Sequence, residues 1–209
     1  MALICYTDGF VLVGSVTGQR YWSSMLNLDA CNTTCGVWTP DDQQVLFGTS
    51  NGHIIVIHVN GTMVTQVPVR DGVAIVSLLW SCEKFKMEDT ESESGANKDV
   101  STGTSNVNQS GTSNASHNSD NHCLAVTFAD GHLYLMRSYD DIFPVIIRTG
   151  LEGVKSEWTN GGELLAVAGH QTVSPDVIKR PTAPDDTQCY SNVIRFYTQL
   201  GSLRYILSK

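Results

Sequence analysis

Cys35-Gly-Val-Trp38-Thr-Pro-Asp-Asp42, Val45-Leu-Phe-Gly-Thr-Ser50, Asn51-Gly52, His53-Ile-Ile-Val-Ile-His-Val59, Asn60-Gly61 and Met63-Val-Thr-Gln-Val-Pro-Val69 follow one another as four apolar or alternating runs punctuated by turn residues. Each run has the β-branched character of a half-buried strand, and Asn-Gly between such runs is a strong hairpin signal. If these are two-residue turns, both central positions take positive φ. The unit therefore reads as four antiparallel strands.

The same phrase returns twice. Ala74-Ile-Val-Ser-Leu-Leu-Trp80-Ser81 is answered by Cys123-Leu-Ala-Val-Thr-Phe128, Asp130-Gly131, His132-Leu-Tyr-Leu-Met-Arg137 and Pro144-Val-Ile-Ile-Arg148. Val154-Lys-Ser-Glu-Trp158-Thr159 leads to Glu163-Leu-Leu-Ala-Val-Ala-Gly169, Asn192-Val-Ile-Arg-Phe-Tyr197 and Leu203-Arg-Tyr-Ile-Leu207. Trp38 lies 13 residues before Asn51, whereas Trp80 lies 50 before Asp130, which places about 37 extra residues in one connection. From Trp158 the same 13 steps predict a turn at Gln171, followed by a Pro- and Asp-rich loop. Near the N-terminus Leu3-Ile-Cys-Tyr6, Asp8-Gly9 and Phe10-Val-Leu-Val-Gly14 match only the middle of the unit.

Without the insertions the unit is about 40 residues of four strands, the length and strand count of a WD40 propeller blade. The expected fold is an all-β, WD40-type propeller, incomplete, with about three and a half blades. Residues 1–30 form a partial blade, 31–71 a blade, 72–150 a blade with insertion 82–121, and 151–209 a blade with loop insertion 171–191. The two insertions are expected on opposite faces of the ring. Since propellers close with roughly 4–8 blades, the chain is expected to be a fragment or a truncated gene product, or to be completed by another chain.

Insertion 82–121 carries seven acids against three lysines, half of the net charge of −8. Rich in Ser, Thr and Asn, it lacks the apolar surface to offset the entropy of ordering and is expected to be disordered. Its acidic run around Thr90, Ser92 and Ser94 suits an acid-directed kinase. No basic footprint predicts nucleic acid or membrane contact. No apolar run of about 18 residues and no signal-peptide pattern occurs, which predicts a cytoplasmic protein.

Candidate chemistry resolves into structural readings. Gly48-Thr-Ser50-Asn-Gly52 fits the nucleophile-elbow pattern, but a strand rather than a helix follows it. Cys31 and Cys35 lack a second ligand pair, and His117, His122 and Cys123 form no zinc spacing. The six cysteines read as mostly reduced, buried thiols. Asp41-Asp42, Asp140-Asp141 and Asp185-Asp186 read as solvent-facing turn formers rather than acid/base pairs. The sequons at Asn32, Asn60, Asn108 and Asn114 read as chance matches. No catalytic, cofactor or metal site is expected, and no partner-binding residue can be named.

The stretches YTDGFVLVGSVTGQRYWSS (Tyr6–Ser24), TCGVWTPDDQQVLFGTSNG (Thr34–Gly52), YDDIFPVIIRTGL (Tyr139–Leu151) and ELLAVAG (Glu163–Gly169) resemble the propeller region of the tubby-like family. The resemblance covers residues 1–81 and 122–170 and is weaker over 192–209. A looser likeness, through Asp8-Gly-Phe10 and Leu165-Ala-Val-Ala-Gly169, runs to the WD-repeat subunit of the retrograde intraflagellar transport complex. The first resemblance implies a non-catalytic, substrate-recruiting adaptor of a cullin-RING ubiquitin ligase, with protein partners. The SOCS box and tubby domain of that family lie outside these residues. The second implies a structural subunit of a ciliary transport complex.

Overall fold

The computed structural model describes residues 1–26, 28, 31–81, 122–173 and 189–208. They form fifteen strands in four antiparallel sheets, each taken in chain order. The first sheet holds β1 (Ala2–Cys5), β2 (Phe10–Gly14) and β3 (Arg20–Met25); the second holds β4 (Thr33–Trp38), β5 (Gln44–Thr49), β6 (His53–His58) and β7 (Met63–Pro68). The third holds β8 (Ile75–Trp80), β9 (Leu124–Phe128), β10 (His132–Met136) and β11 (Val145–Arg148). The fourth holds β12 (Glu152–Trp158), β13 (Leu164–Val173), β14 (Cys189–Thr198) and β15 (Leu203–Ser208). The partial N-terminal blade thus has three of the four strands.

The arrangement of the sheets follows from which residues are apolar on both faces. In β5 and β6 nearly every residue is buried, because their alternate side chains enter different cores. Val45, Phe47, Ile55 and Ile57 meet Val11 and Val13 of the first sheet. Leu46, Ile54 and Val56 meet Leu124, Val126 and Phe128 of the third. The third sheet repeats the division: Ala125, Leu133 and Leu135 pack with Trp158, Leu165 and Val167 of the fourth. Cores therefore lie between sheets. First strands touch first strands, β4 against β8 and β8 against β12, while fourth strands such as β7 and β15 are largely exposed. That is a radial stack of blades. Polar ties cross the same gaps: Arg70 Nε and Nη2 donate to Asp130 Oδ2 at 3.1 and 2.6 Å, and Trp158 Nε1 donates to Leu79 O at 3.1 Å.

Three sequence expectations need correction. The turns are not two-residue turns with two positive φ values, since Gly9, Gly52, Gly61 and Gly131 are left-handed and the residue before each is not. Each glycine N–H instead bonds three residues back, as Gly52 N to Thr49 O at 3.2 Å, while the preceding Asp8, Asn60 or Asp130 side chain accepts the N–H just beyond the glycine. The Asx carboxyl or amide supplies that bond, so only glycine needs positive φ. No turn occurs at Gln171, because the β13–β14 ladder continues through Gln171↔Ser191 and Thr172↔Tyr190 to Val173↔Cys189. The loop expected over 171–191 therefore loses three residues at each end to the hairpin. Among the described cysteines Cys123 is buried, whereas Cys5 is exposed and Cys31 and Cys35 are partly so; all four are free thiols. Cys5 lies on β1, at the edge of the first sheet, where β2 pairs with it on one side alone among the described residues.

A regularity the sequence did not reveal is that every pairing of first with second strand slips register near its start, at Thr33/Cys35, Ile75/Ser77 and Glu152/Lys155. No helix of the described residues is long and apolar enough to cross a membrane.

Candidate functional site

The residue after each blade tryptophan is a hydroxyl, and it builds one face of the stack. Thr39 Oγ1 accepts the N–H of Gln44 at 3.0 Å, and Thr159 Oγ1 accepts that of Leu164 at 3.1 Å, each across five residues. Ser81 Oγ accepts the N–H of Cys123 at 2.7 Å across 42. The backbone bonds also match, with Thr39, Ser81 and Thr159 N–H donating to the carbonyls of Gln44, Cys123 and Leu164 at 2.8–2.9 Å. The long insertion is thus rooted in the same clasp as two short turns. Its root at Ser81 and Cys123 lies at the end of the strands opposite the β13–β14 connection, and where either insertion projects lies outside the described residues. Its own residues, with Thr90, Ser92, Ser94, Asn108, Asn114 and His117, lie outside the described residues, as do Asp185-Asp186.

On this face the β4–β5 turn, the β10–β11 connection and the β14–β15 turn surround an open cleft of about 840 Å³. Its floor is Trp80, Cys123, Leu135 and Met136, and Phe143, Val145 and Leu200 stand around it. Phe143 is 77% exposed, its neighbour Ile142 80% and Leu200 82%. Leu200 is held there by tight packing beneath its turn: a Cβ on Gly201 would lie 2.6 Å from Val145 Cγ1. Gln199 Nε2 fixes the same turn from below, donating to Gly162 O at 2.7 Å and Ser81 Oγ at 3.2 Å.

The β10–β11 connection is organised by one carboxylate. Asp141 Oδ2 accepts the Arg137 backbone N–H at 2.9 Å and its Nε at 3.2 Å, and Oδ1 accepts the Phe143 N–H at 3.0 Å. The Asp141 side chain is 4% exposed, which corrects the expectation that both members of this pair face solvent. The Arg137 guanidinium and these N–H groups hold its carboxyl at about 2, below its usual 3.8. Asp41 also folds back, accepting from Thr39 Oγ1 at 2.6 Å and from the Gln43 N–H at 3.1 Å, and its carboxyl is lowered as well, chiefly by Thr39. Asp42 and Asp140 are exposed beside these two, with Asp140 Oδ1 accepting from Ser138 Oγ at 2.5 Å.

The Cys123 thiol is pushed up to about 11 by burial, and Ser81 Oγ is committed to the clasp. Ser50 exchanges bonds with Asn32 in a strand-turn-strand, its Oγ accepting the Asn32 N–H at 3.0 Å, so the elbow pattern has no helix behind it. Among the described residues no group of three His, Cys, Asp or Glu is placed to hold a metal ion. Cys35 lies beside a small pocket with Cys5, and burial raises its pKa. Of the residues singled out in the sequence, the cleft gathers Asp41, Asp141, His122 and Cys123. Sequence reasoning missed Phe143, Val145 and Leu200. The available signal was Ile142-Phe143 beside Pro144 in an otherwise polar connection, and Leu200 in a turn where polar residues are usual.

The family model described as WDR35/TULP4 N-terminal matches residues 1–208. Tubby-related protein 4 of Mus musculus is 40% identical over 202 residues, covering 96% of this chain and 12% of that protein. WD repeat-containing protein 35 of Rattus norvegicus is 30% identical over 207 residues, covering 95% of this chain and 14% of that protein. The chain thus spans about an eighth of the length of these relatives. Among solved structures, the WD40 domain of Neurospora crassa Pan2 aligns with a TM-score of 0.57 at 9% identity, covering 98% of this chain and 50% of that one. Chaetomium thermophilum Sqt1, bound to the N-terminus of ribosomal protein L10, aligns with a TM-score of 0.56 at 13% identity, covering 98% and 45%.

Proposed function

Because the chain belongs to the WDR35/TULP4 N-terminal β-propeller family, we propose that it is the partner-binding module of a larger cytoplasmic adaptor that recruits substrates to a cullin-RING ubiquitin ligase. The observation that carries the binding role is the cleft, where Phe143 and Leu200 are held in water by polar scaffolding at their bases. Large apolar side chains fixed in solvent on a rigid scaffold lose little entropy when a partner covers them, which is how interface anchors work. Propeller loops suit this role because the sheets below hold them in place.

The ligase assignment rests on the greater likeness to tubby-related protein 4 than to WD repeat-containing protein 35. Immunoprecipitation of the full-length gene product tests it. Elongin and cullin subunits are expected in the precipitate. Recovery of intraflagellar transport subunits in their place would move the assignment to the ciliary complex, and recovery of neither would end the ligase reading.

A further inference from the structure

The cleft lies on the three complete sheets, and its charge indicates what it takes. Asp41 lines it, the exposed Asp42 and Asp140 adjoin its lining residues Asp41 and Asp141 in sequence, and Glu163 lies on the β12–β13 turn at the same end of the sheets. The cation lining it, Arg137, is already bonded to Asp141 at 3.2 Å. Both ends of the 82–121 stretch, with its net charge of −4, are rooted on this face at Ser81 and Cys123. An apolar floor inside an acidic rim repels acidic segments and concentrates basic ones, because the rim potential adds to burial of an apolar anchor.

We propose that this cleft docks an extended segment of a partner protein in which one large aliphatic or aromatic side chain is flanked by Lys or Arg. The anchor lies on Leu135 and Met136, between Phe143 and Leu200. The flanking cations lie over Asp42 and Asp140. This deepens the binding role proposed above and rests on it, since it specifies the partner chemistry of the same cleft. The ligase assignment does not depend on it.

The test is fluorescence anisotropy with the full chain and three labelled decapeptides: one with a central Leu-Phe flanked by lysines, one with glutamates in place of the lysines, and one with the Leu-Phe replaced by alanines. The lysine peptide should bind, and the other two should bind at least about tenfold more weakly. Phe143→Ala and Leu200→Ala should each weaken the lysine peptide by about tenfold without lowering the thermal midpoint, because both side chains are exposed. Asp42→Asn and Asp140→Asn should each weaken it and flatten its salt dependence. Asparagine keeps the acceptor and tolerates the φ of 56° at Asp42. Equal binding of lysine and glutamate peptides overturns the proposal, as does full-strength binding to the Phe143 and Leu200 variants. Loss of lysine-peptide binding in a chain lacking 82–121 would also overturn it, by making the insertion's charge the attractant. Failure here with elongin and cullin still co-precipitating removes the cleft chemistry alone, whereas loss of those subunits with peptide binding intact removes only the ligase role.

Discussion

Single residues divide into those whose role is set by their own chemistry and those whose role depends on what approaches them. Gly52 and Gly72 both have left-handed φ, 86° and 76°. They differ in surroundings: a Cβ on Gly52 would sit 1.8 Å from Arg70 O, and one on Gly72 meets nothing within 4 Å. Gly72→Ala should cost only the backbone term, about 1–2 kcal/mol. Gly52→Ala should cost clearly more, because the Arg70 carbonyl must move and the Gly52 carbonyl bonds to the Val69 and Arg70 N–H groups are disturbed. Urea titration of both variants checks the order, and equal losses would refute the close-approach argument. Asp141 gives a pH prediction. Its folded pKa of about 2 lies below the usual 3.8, so its stabilisation is complete above about pH 4 and is lost as pH falls through about 2. An NMR titration should place its carboxyl midpoint near 2 in the native chain and higher in Arg137→Ala. A native midpoint near 3.8 would show that the Arg137 contact does not form in solution.

At the scale of elements, the clasp after each tryptophan explains how one blade accepts a long insertion. The strand ends are joined by Ser81 and Cys123 whatever chain lies between them, and closing a longer loop costs little, about 0.6 kcal/mol per doubling of length. Replacing 82–121 by a four-residue turn should therefore raise the thermal midpoint by no more than about 8 °C, from about 2 kcal/mol of loop-closure entropy. Ser81→Ala, by contrast, leaves the buried Cys123 N–H and one Gln199 bond unmatched and should cost about 1–3 kcal/mol in chemical denaturation. A large stabilisation on removing the insertion, or a neutral Ser81→Ala, would contradict the clasp. The Trp-to-turn spacing shows that about 37 residues are additional, and the hydroxyl that follows each of Trp38, Trp80 and Trp158 is the local trace of the shared hydrogen bond in which Ser81 stands where the other blades have threonine. The β13–β14 hairpin could not be read at all past Gln171. Ladder pairing there depends on two segments meeting in space, and neither segment has a strong apolar alternation of its own.

In the whole molecule, stability is shared between neighbouring blades, because each core belongs to two sheets. Phe128 is fully buried between the second and third sheets, with its ring 4.9 Å from that of Tyr134. Phe128→Ala should cost about 3–5 kcal/mol in denaturant unfolding, and the loss should appear in probes on both sheets. A loss confined to the third sheet would mean that the blades unfold independently. The four-stranded pattern and the blade repeat were legible locally, in hairpin glycines, in apolar runs and in a tryptophan spacing that adjacent residues suffice to display. Even the double-sided burial of β5 and β6 was implicit in Val45-Leu-Phe47 and Ile54-Ile-Val-Ile57. The cleft was not. It is assembled from turns of three different blades, and a turn residue such as Leu200 comes to border it only because Gly201 packs on Val145, 56 residues earlier in the chain. Contacts of that separation carry no local periodicity, so only the packed blades determine which exposed apolar residues share a site and which carboxylates surround them.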